Sequence, residues 1–262
     1  MMSSDVTVVI TSCGRQDLLE HTVDSFLRWN TYPIARYVVT EDSGIRHVND
    51  ALKRKYAALP IRWIERGRRG QLFCVDDAYA QVKTPYIFHC EDDWEFYGRG
   101  FIEASRAILE RRPEIMQVHI RSEDDTGGHP LEPDVQVVHG PMGEIRFRQL
   151  SFGFEGHWHG FSLNPGLRRL ADYRRIGRYV PFRYEAHISE VYKRHGYCAV
   201  TLCGAGYVRH LGDGRRIVLG NSSGVFLKPP DPAWRRLLGR ARSRHPRVYS
   251  AIKSIVAPLR RR

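Results

Sequence analysis

Tyr86-Ile87-Phe88-His89-Cys90-Glu91-Asp92-Asp93-Trp94 is the stretch on which the fold turns. Its first half is an apolar run of strand length, and its second half is three consecutive acids. A parallel strand covered on both faces reads as a near-continuous apolar run, and in open α/β sheets the chemistry gathers beyond the carboxyl ends of the strands. An acidic triplet alone equally suits a solvated turn or a helix start, so its meaning depends on the segments around it.

Upstream, residues 6–10 form a β-branched run that ends in Thr11-Ser12-Cys13-Gly14-Arg15. Leu18, Leu19, Val23, Phe26 and Leu27 then recur at helical spacing. The same strand, loop and helix pattern predicts strands at 37–40, 61–64 and 86–89 and helices at 48–57 and 72–82. Alternation at this pitch means βαβ units: an α/β fold with a mostly parallel central sheet flanked by helices. Four loops follow strands: 11–15, 41–44, 66–70 and 91–93. Beyond them the pattern predicts a helix over 101–110, a strand over 116–120 and a Gly/Pro-rich connection over 126–143. A helix is expected after Asn164-Pro165-Gly166, another over 185–195, and a strand over 199–202. Lys228-Pro229-Pro230 marks a boundary, giving an α/β domain over 1–228, with halves 1–125 and 126–228, and a basic helical C-terminal tail over 229–262.

Length and charge narrow the function classes. At 262 residues the chain has room for a sizeable core. Its longest uncharged apolar stretch, 197–208, is well short of the about 18 residues that a membrane span needs. Residues 1–5 lack the basic and apolar regions of a signal peptide, so a cytoplasmic location is expected. Five cysteines with no C-x-x-C pair read as reduced thiols. Residues 233–262 carry ten Lys or Arg and no Asp or Glu, which accounts for most of the net charge of +12 and leaves the body almost neutral. In this tail Trp234, Leu237, Leu238, Val248, Tyr249, Ile252, Ile255, Val256 and Leu259 recur at helical spacing. The pattern suits a peripheral contact with an anionic membrane, with packing on the body or nucleic-acid binding as weaker readings.

These motifs together resemble the metal-dependent GT-A glycosyltransferases, and among them the inverting group called glycosyltransferase family 2. Residues 6–15 with Leu18-Leu19 and Ser25 to Leu27 resemble its first strand and helix. Glu41-Asp42-Ser43-Gly44 resembles its acidic motif after the second strand, and 86–94 its strand carrying the DXD metal motif, with Glu91 in place of the first Asp. The resemblance covers residues 5–213. It implies transfer of a sugar from a nucleotide-diphosphate donor to a glycan or glycolipid acceptor, in surface polysaccharide or glycolipid synthesis, with Mn²⁺ or Mg²⁺ as cofactor. It implies metal ligands Asp93, Glu91 and His210, the last from Tyr207-Val208-Arg209-His210-Leu211-Gly212. Donor contacts are implied for Thr11, Ser12, Arg15, Glu41, Asp42, Asp77 and Asp92. Glu185, at the start of its helix, resembles the catalytic base, with Glu190 as a rival because Ala186 stands where the family has its next Asp.

His157, Trp158 and His159 lie between glycines and precede Asn164. An aromatic ring among polar groups can stack on a sugar face while its neighbours bond hydroxyls, which makes these four acceptor-site candidates. Completion of the core by Trp158 and Phe161 is the alternative. Arg66, Arg68 and Arg69 read as solvated loop charges, with diphosphate contact as the minority reading. Two rivals stand beside the transferase. A sugar nucleotidyltransferase is disfavoured because no Gly-rich, Lys-bearing loop follows the first strand. A non-catalytic basic protein would bind in a salt-sensitive, metal-independent way.

Overall fold

The computed structural model describes residues 4–153, 158–182, 184–212, 215, 217–219 and 225–227. The tail, 229–262, and His157 lie outside the described residues. Among those described, no helix is long and apolar enough to cross a membrane.

Strands β1 (Val6–Ser12), β2 (Arg36–Glu41), β3 (Ile61–Glu65) and β4 (Tyr86–Glu91) alternate with helices α1 (Gln16–Trp29), α2 (Asp50–Lys55) and α3 (Gln71–Tyr79). Short β5 (Trp94–Phe96) follows, then α4 (Phe101–Arg111), β6 (Ile115–His119), β7 (Gln136–Gly140), β8 (Gly143–Gln149) and β9 (Gly166–Arg169). The chain continues through α5 (Leu170–Ile176), α6 (Glu185–Arg194), β10 (Cys198–Leu202) and β11 (Val208–His210), then a hairpin of β12 (Ile217–Leu219) and β13 (Val225–Leu227). Nine strands form one sheet in the order β3-β2-β1-β4-β9-β6-β10-β8-β7. The first four are parallel neighbours, β9 runs antiparallel to both β4 and β6, and β7 and β8 close the far edge as an antiparallel hairpin.

Every residue of β1 is buried, as its apolar run predicts for a central strand with a layer on each face. On one face α1 contributes Leu19, Val23 and Phe26 and α4 contributes Phe101, Ile102 and Ile108. Phe26, Phe88, Phe96 and Phe101 meet there at centroid distances of 5.2 to 6.0 Å. On the other face Val75, Tyr79, Trp158, Phe161, Tyr179 and Tyr192 form a second core.

Two expectations are corrected. The connection over 126–143 contains β7. This edge strand buries only Val138 and leaves Val137 exposed, so its pattern lacks the apolar density of a core strand. After Asn164-Pro165 the chain forms β9 before α5. The strand is short and its Arg168 is buried, with the guanidinium donating to the Ser162 carbonyl at 2.9 Å and lying over the Phe161 ring at 5.1 Å. A buried arginine in a four-residue strand conceals the period from the sequence.

His89 and His119 are buried on β4 and β6. Burial pushes the His119 imidazole down to about 4, and His89 also well below the usual range. A folded-state value below the unfolded one means that the unfolded chain binds more protons between them, so stability falls as pH drops from about 6.5 towards 4. For His119 alone the loss is about 3 kcal/mol at about 1.4 kcal/mol per unit. Chemical denaturation at pH 7 and pH 4.5 should show a smaller loss for His119→Gln than for the parent. Equal losses would contradict neutral burial of this imidazole.

Candidate active site

Sheet register sets the site. Thr11 of β1 lies opposite Glu91 of β4, and Ser12 lies opposite Glu41 of β2, so three post-strand loops open side by side. Beyond β4, Trp94 of β5 pairs with His210 of β11, and the Leu211 amide donates to the Asp93 carbonyl at 2.8 Å. That pairing draws a segment 117 residues away in the chain onto the acidic loop.

Asp92 is fully buried and Asp93 nearly so. Carboxylates so placed are costly unless paired and hydrogen-bonded. Arg15 supplies the pairing with all three of its nitrogens: Nη2 and Nε, the latter at 3.3 Å, on the two oxygens of Asp92, and Nη1 on Asp93 Oδ2 at 2.7 Å. The Ser12 hydroxyl adds a bond to Asp92 Oδ2 at 2.8 Å. The three acids consequently differ. Burial, with Asp93 and Glu185 nearby, pushes the Glu91 carboxyl up to about 7. Burial raises Asp92 to about 6 against the pull of Arg15. Burial acts on Asp93 in the same sense, but His210 and Arg15 outweigh it and hold that carboxyl below its usual range.

Glu41 and Asp42 organise backbone. Glu41 Oε1 accepts the amides of Gly14 at 2.9 Å and Ser43 at 2.7 Å. Gly14 has φ +68°, in the left-handed region that a side chain disfavours, and its freedom lets the loop turn its N–H to Glu41. The Asp42 carboxylate accepts the amides of Arg69 at 2.6 Å and Gly70 at 2.8 Å, holding the 66–70 loop against the site.

Thr11, Ser12, Arg15, Asp42, Glu91, Asp92, Asp93, Asn164, Glu185 and His210 all line one cavity of about 380 Å³. Glu41 borders a separate cavity with Gly44, His47 and Glu65. Asp77 is not brought to the main cavity: it is a partly exposed residue that pairs with Arg66 at 3.1 Å, because the preceding Asp76 takes the inward face of α3. Asp76 there accepts the Tyr173 hydroxyl and the amides of Tyr179 and Val180.

Three observations bear on a cation at the acidic loop. Asp93 Oδ1 is buried without a hydrogen-bond partner among the described residues. His210 Nε2 stands 3.2 Å from Asp93 Oδ2. A Cβ at Gly212 would overlap Asp93 Oδ2 and crowd His210 Nε2, so glycine keeps room beside both groups. A carboxylate with an imidazole suits Mn²⁺, so Asp93 and His210 fit such an ion as two of its ligands. The three expected ligands are not assembled as a set, however. Among the described residues no three His, Cys, Asp or Glu side chains gather closely enough to hold an ion, and Glu91 accepts Gln71 Nε2 at 2.6 Å instead.

On the opposite wall α6 is laced to the 158–164 segment. The Leu163 amide donates to Glu185 Oε2 at 3.3 Å, Ser189 bonds the Phe161 backbone, and the Trp158 amide donates to Glu190 Oε1 at 2.9 Å. Glu185 therefore faces the cavity, whereas Glu190 is committed to backbone outside it. Trp158 is fully buried, with its ring against Gly160 and Phe152, and so belongs to the core rather than to a sugar-stacking face. His159 lines a second cavity of about 180 Å³ with His119, Arg121 and His129, and Asn164 and Glu185 border both cavities. Gln71, Cys74 and Gly212 also line the main cavity, and the sequence had not singled them out for it. Gly212 follows His210 by two residues, a spacing that could have flagged it.

No protein-family model and no curated protein matches the chain. Solved structures do. The mannosyltransferase PcManGT from Pyrobaculum calidifontis, in complex with GDP-Man and Mn²⁺, matches with TM-score 0.54 and 15% identity over 77% of this chain and 56% of its own. GalNAc-T7 with UDP, GalNAc and Mn²⁺ gives 0.56 and 15% over 78% and 42%. S. aureus TarS 1-349 gives 0.54 and 10% over 78% and 59%. The fold is GT-A. The chain spans about half the length of these structures, and at such identities the likeness concerns the fold.

Removing the Asp42 carboxylate leaves the Arg69 and Gly70 amides without their acceptor. Asp42→Ala should cost about 1–3 kcal/mol of stability and speed hydrogen exchange at those two amides, as read by denaturation and NMR. Unchanged exchange there would contradict the anchoring.

Proposed function

We propose that the chain is a glycosyltransferase that moves a sugar from a nucleotide-diphosphate donor to an acceptor hydroxyl with inversion. The observation that carries this reading is the buried Asp93 Oδ1, unpartnered among the described residues, in a cavity whose opposite wall presents Glu185. Asp93 and His210 would hold Mn²⁺ or Mg²⁺, which supplies Lewis-acid neutralisation of the diphosphate leaving group. Glu91, with its raised affinity for a proton, is the poorer ligand of the acidic loop.

Thr11, Ser12, Arg15 and Asp42 face the donor side. Glu185 takes the acceptor proton as the hydroxyl oxygen attacks the anomeric carbon from the face opposite the diphosphate. A carboxylate suffices for that step because the hydroxyl acidifies as its bond to carbon forms. Since Asn164 and Glu185 border both cavities, the smaller one is the acceptor side, with His159 and Asn164 as contacts. The acceptor class is a glycan or glycolipid of the cell surface, and the basic tail would hold the enzyme on the anionic membrane where lipid-linked acceptors lie.

Asp93→Ala should abolish Mn²⁺-dependent hydrolysis and transfer of nucleotide sugars while preserving the thermal midpoint within a few degrees. Glu185→Gln should keep donor binding and lower turnover by about 100-fold. Glu190→Gln should act on stability, through the Trp158 amide, before it acts on turnover. Full metal-dependent turnover in Asp93→Ala, or a turnover loss confined to Glu190→Gln, would overturn these assignments.

A further inference from the structure

Arg15 is placed to do more than contact a donor. Its guanidinium is largely buried, with the side chain 15% exposed, and all three of its nitrogens are engaged by Asp92 and Asp93. Asp93 Oδ2 is shared between Arg15 Nη1 at 2.7 Å and His210 Nε2 at 3.2 Å, while Oδ1 of the same carboxylate has no partner among the described residues. The acidic loop therefore already carries a resident positive charge on the carboxylate expected to receive a divalent cation.

A divalent ion arriving alone at Asp93 meets a guanidinium on the adjacent oxygen, at a distance where like charges repel in a poorly hydrated site. It must either displace Arg15 or accept the repulsion, and displacement strips the counter-charge from fully buried Asp92. A diphosphate changes the balance. It offers the planar fork of arginine a bidentate anionic partner and lends the site the negative charge that both cations require.

We propose that Arg15 is the resident counter-cation of the acidic loop and couples metal loading to the donor. With the nucleotide absent it holds Asp92 and Asp93 and weakens metal binding. With a diphosphate present it turns from Asp93 towards the phosphates and leaves that carboxylate to the metal. Linkage makes the coupling reciprocal, so the nucleotide tightens the metal by the same factor as the metal tightens the nucleotide. The inference rests on the reading of the cavity as a metal-dependent nucleotide-sugar site.

The test is equilibrium binding on the full chain, with Mn²⁺ followed by electron paramagnetic resonance and UDP and GDP by calorimetry, each with and without the other ligand. In the parent, Mn²⁺ alone should bind weakly, and the better nucleotide should tighten it by about 5- to 150-fold, the usual range of such coupling. In Arg15→Gln, Mn²⁺ alone should bind at least about fivefold tighter than in the parent, UDP or GDP alone should bind more weakly, and the coupling should shrink. Arg15→Lys keeps a charge but loses the fork. It should fall between the two, and it carries the comparison if circular dichroism shows Arg15→Gln unfolded. Coupling in the parent with Mn²⁺ affinity unchanged or reduced in both variants overturns the role of Arg15 while sparing the site. Absence of binding by Mn²⁺, UDP and GDP in every combination overturns both.

Discussion

Two adjacent carboxylates at the end of a central parallel strand cannot stay buried and charged unless cations and donors meet them, and the architecture around β4 answers that demand. Asp92 and Asp93 leave the sheet where β1 and β4 run side by side, so the loop after β1 can bring Arg15 and Ser12 onto them. From the far end of the chain, β11 pairs with β5 and brings His210 to the same point. Without Arg15 and Ser12 the loop after β1 would lose its side-chain bonds to the acidic loop, while β11 would keep its backbone pairing with β5.

The acids of the site serve different physical ends because their surroundings differ. Glu41 and Asp42 are tied to backbone amides and shape loops. Asp92 is satisfied by Arg15 and Ser12, and Asp93 keeps one oxygen without a partner among the described residues. Glu91 is pushed up to about 7 by burial and by the nearby Asp93 and Glu185. Titratable groups driven apart by burial and neighbours are how a single cleft holds both ligands and proton acceptors. Across the cavity Glu185 is aimed by a separate set of bonds from α6 to the 158–164 segment.

Much of this was legible in residues 5–125. Continuous apolar runs, helical spacing and post-strand polar loops are local signals, and the first four strands appear where those signals place them. The cavity likewise gathers Thr11, Ser12, Arg15, Asp42, Asp92 and Asp93 from the carboxyl ends of parallel strands and the loops after them, with Glu185 from the start of α6 and His210 from β11. What escaped depends on tertiary neighbours. β9 is hidden by a buried arginine, β7 by an edge strand's half-solvated pattern, and the core role of Trp158 by flanking glycines that also suit a binding loop. Asp77 lost its place to Asp76 through a helical phase of one residue, which the sequence alone does not fix. Gln71 and Gly212 enter the site through packing and through the absence of a side chain, and neither leaves a periodic trace.

The most direct test is diffraction from crystals soaked in Mn²⁺ with UDP or GDP, recorded where manganese scatters anomalously. A manganese peak should stand beside Asp93 and His210, with the diphosphate against it and Arg15 turned from Asp93 towards the phosphates. A metal and nucleotide bound elsewhere, with Arg15 still closed on both carboxylates, would contradict the assignment of this cavity.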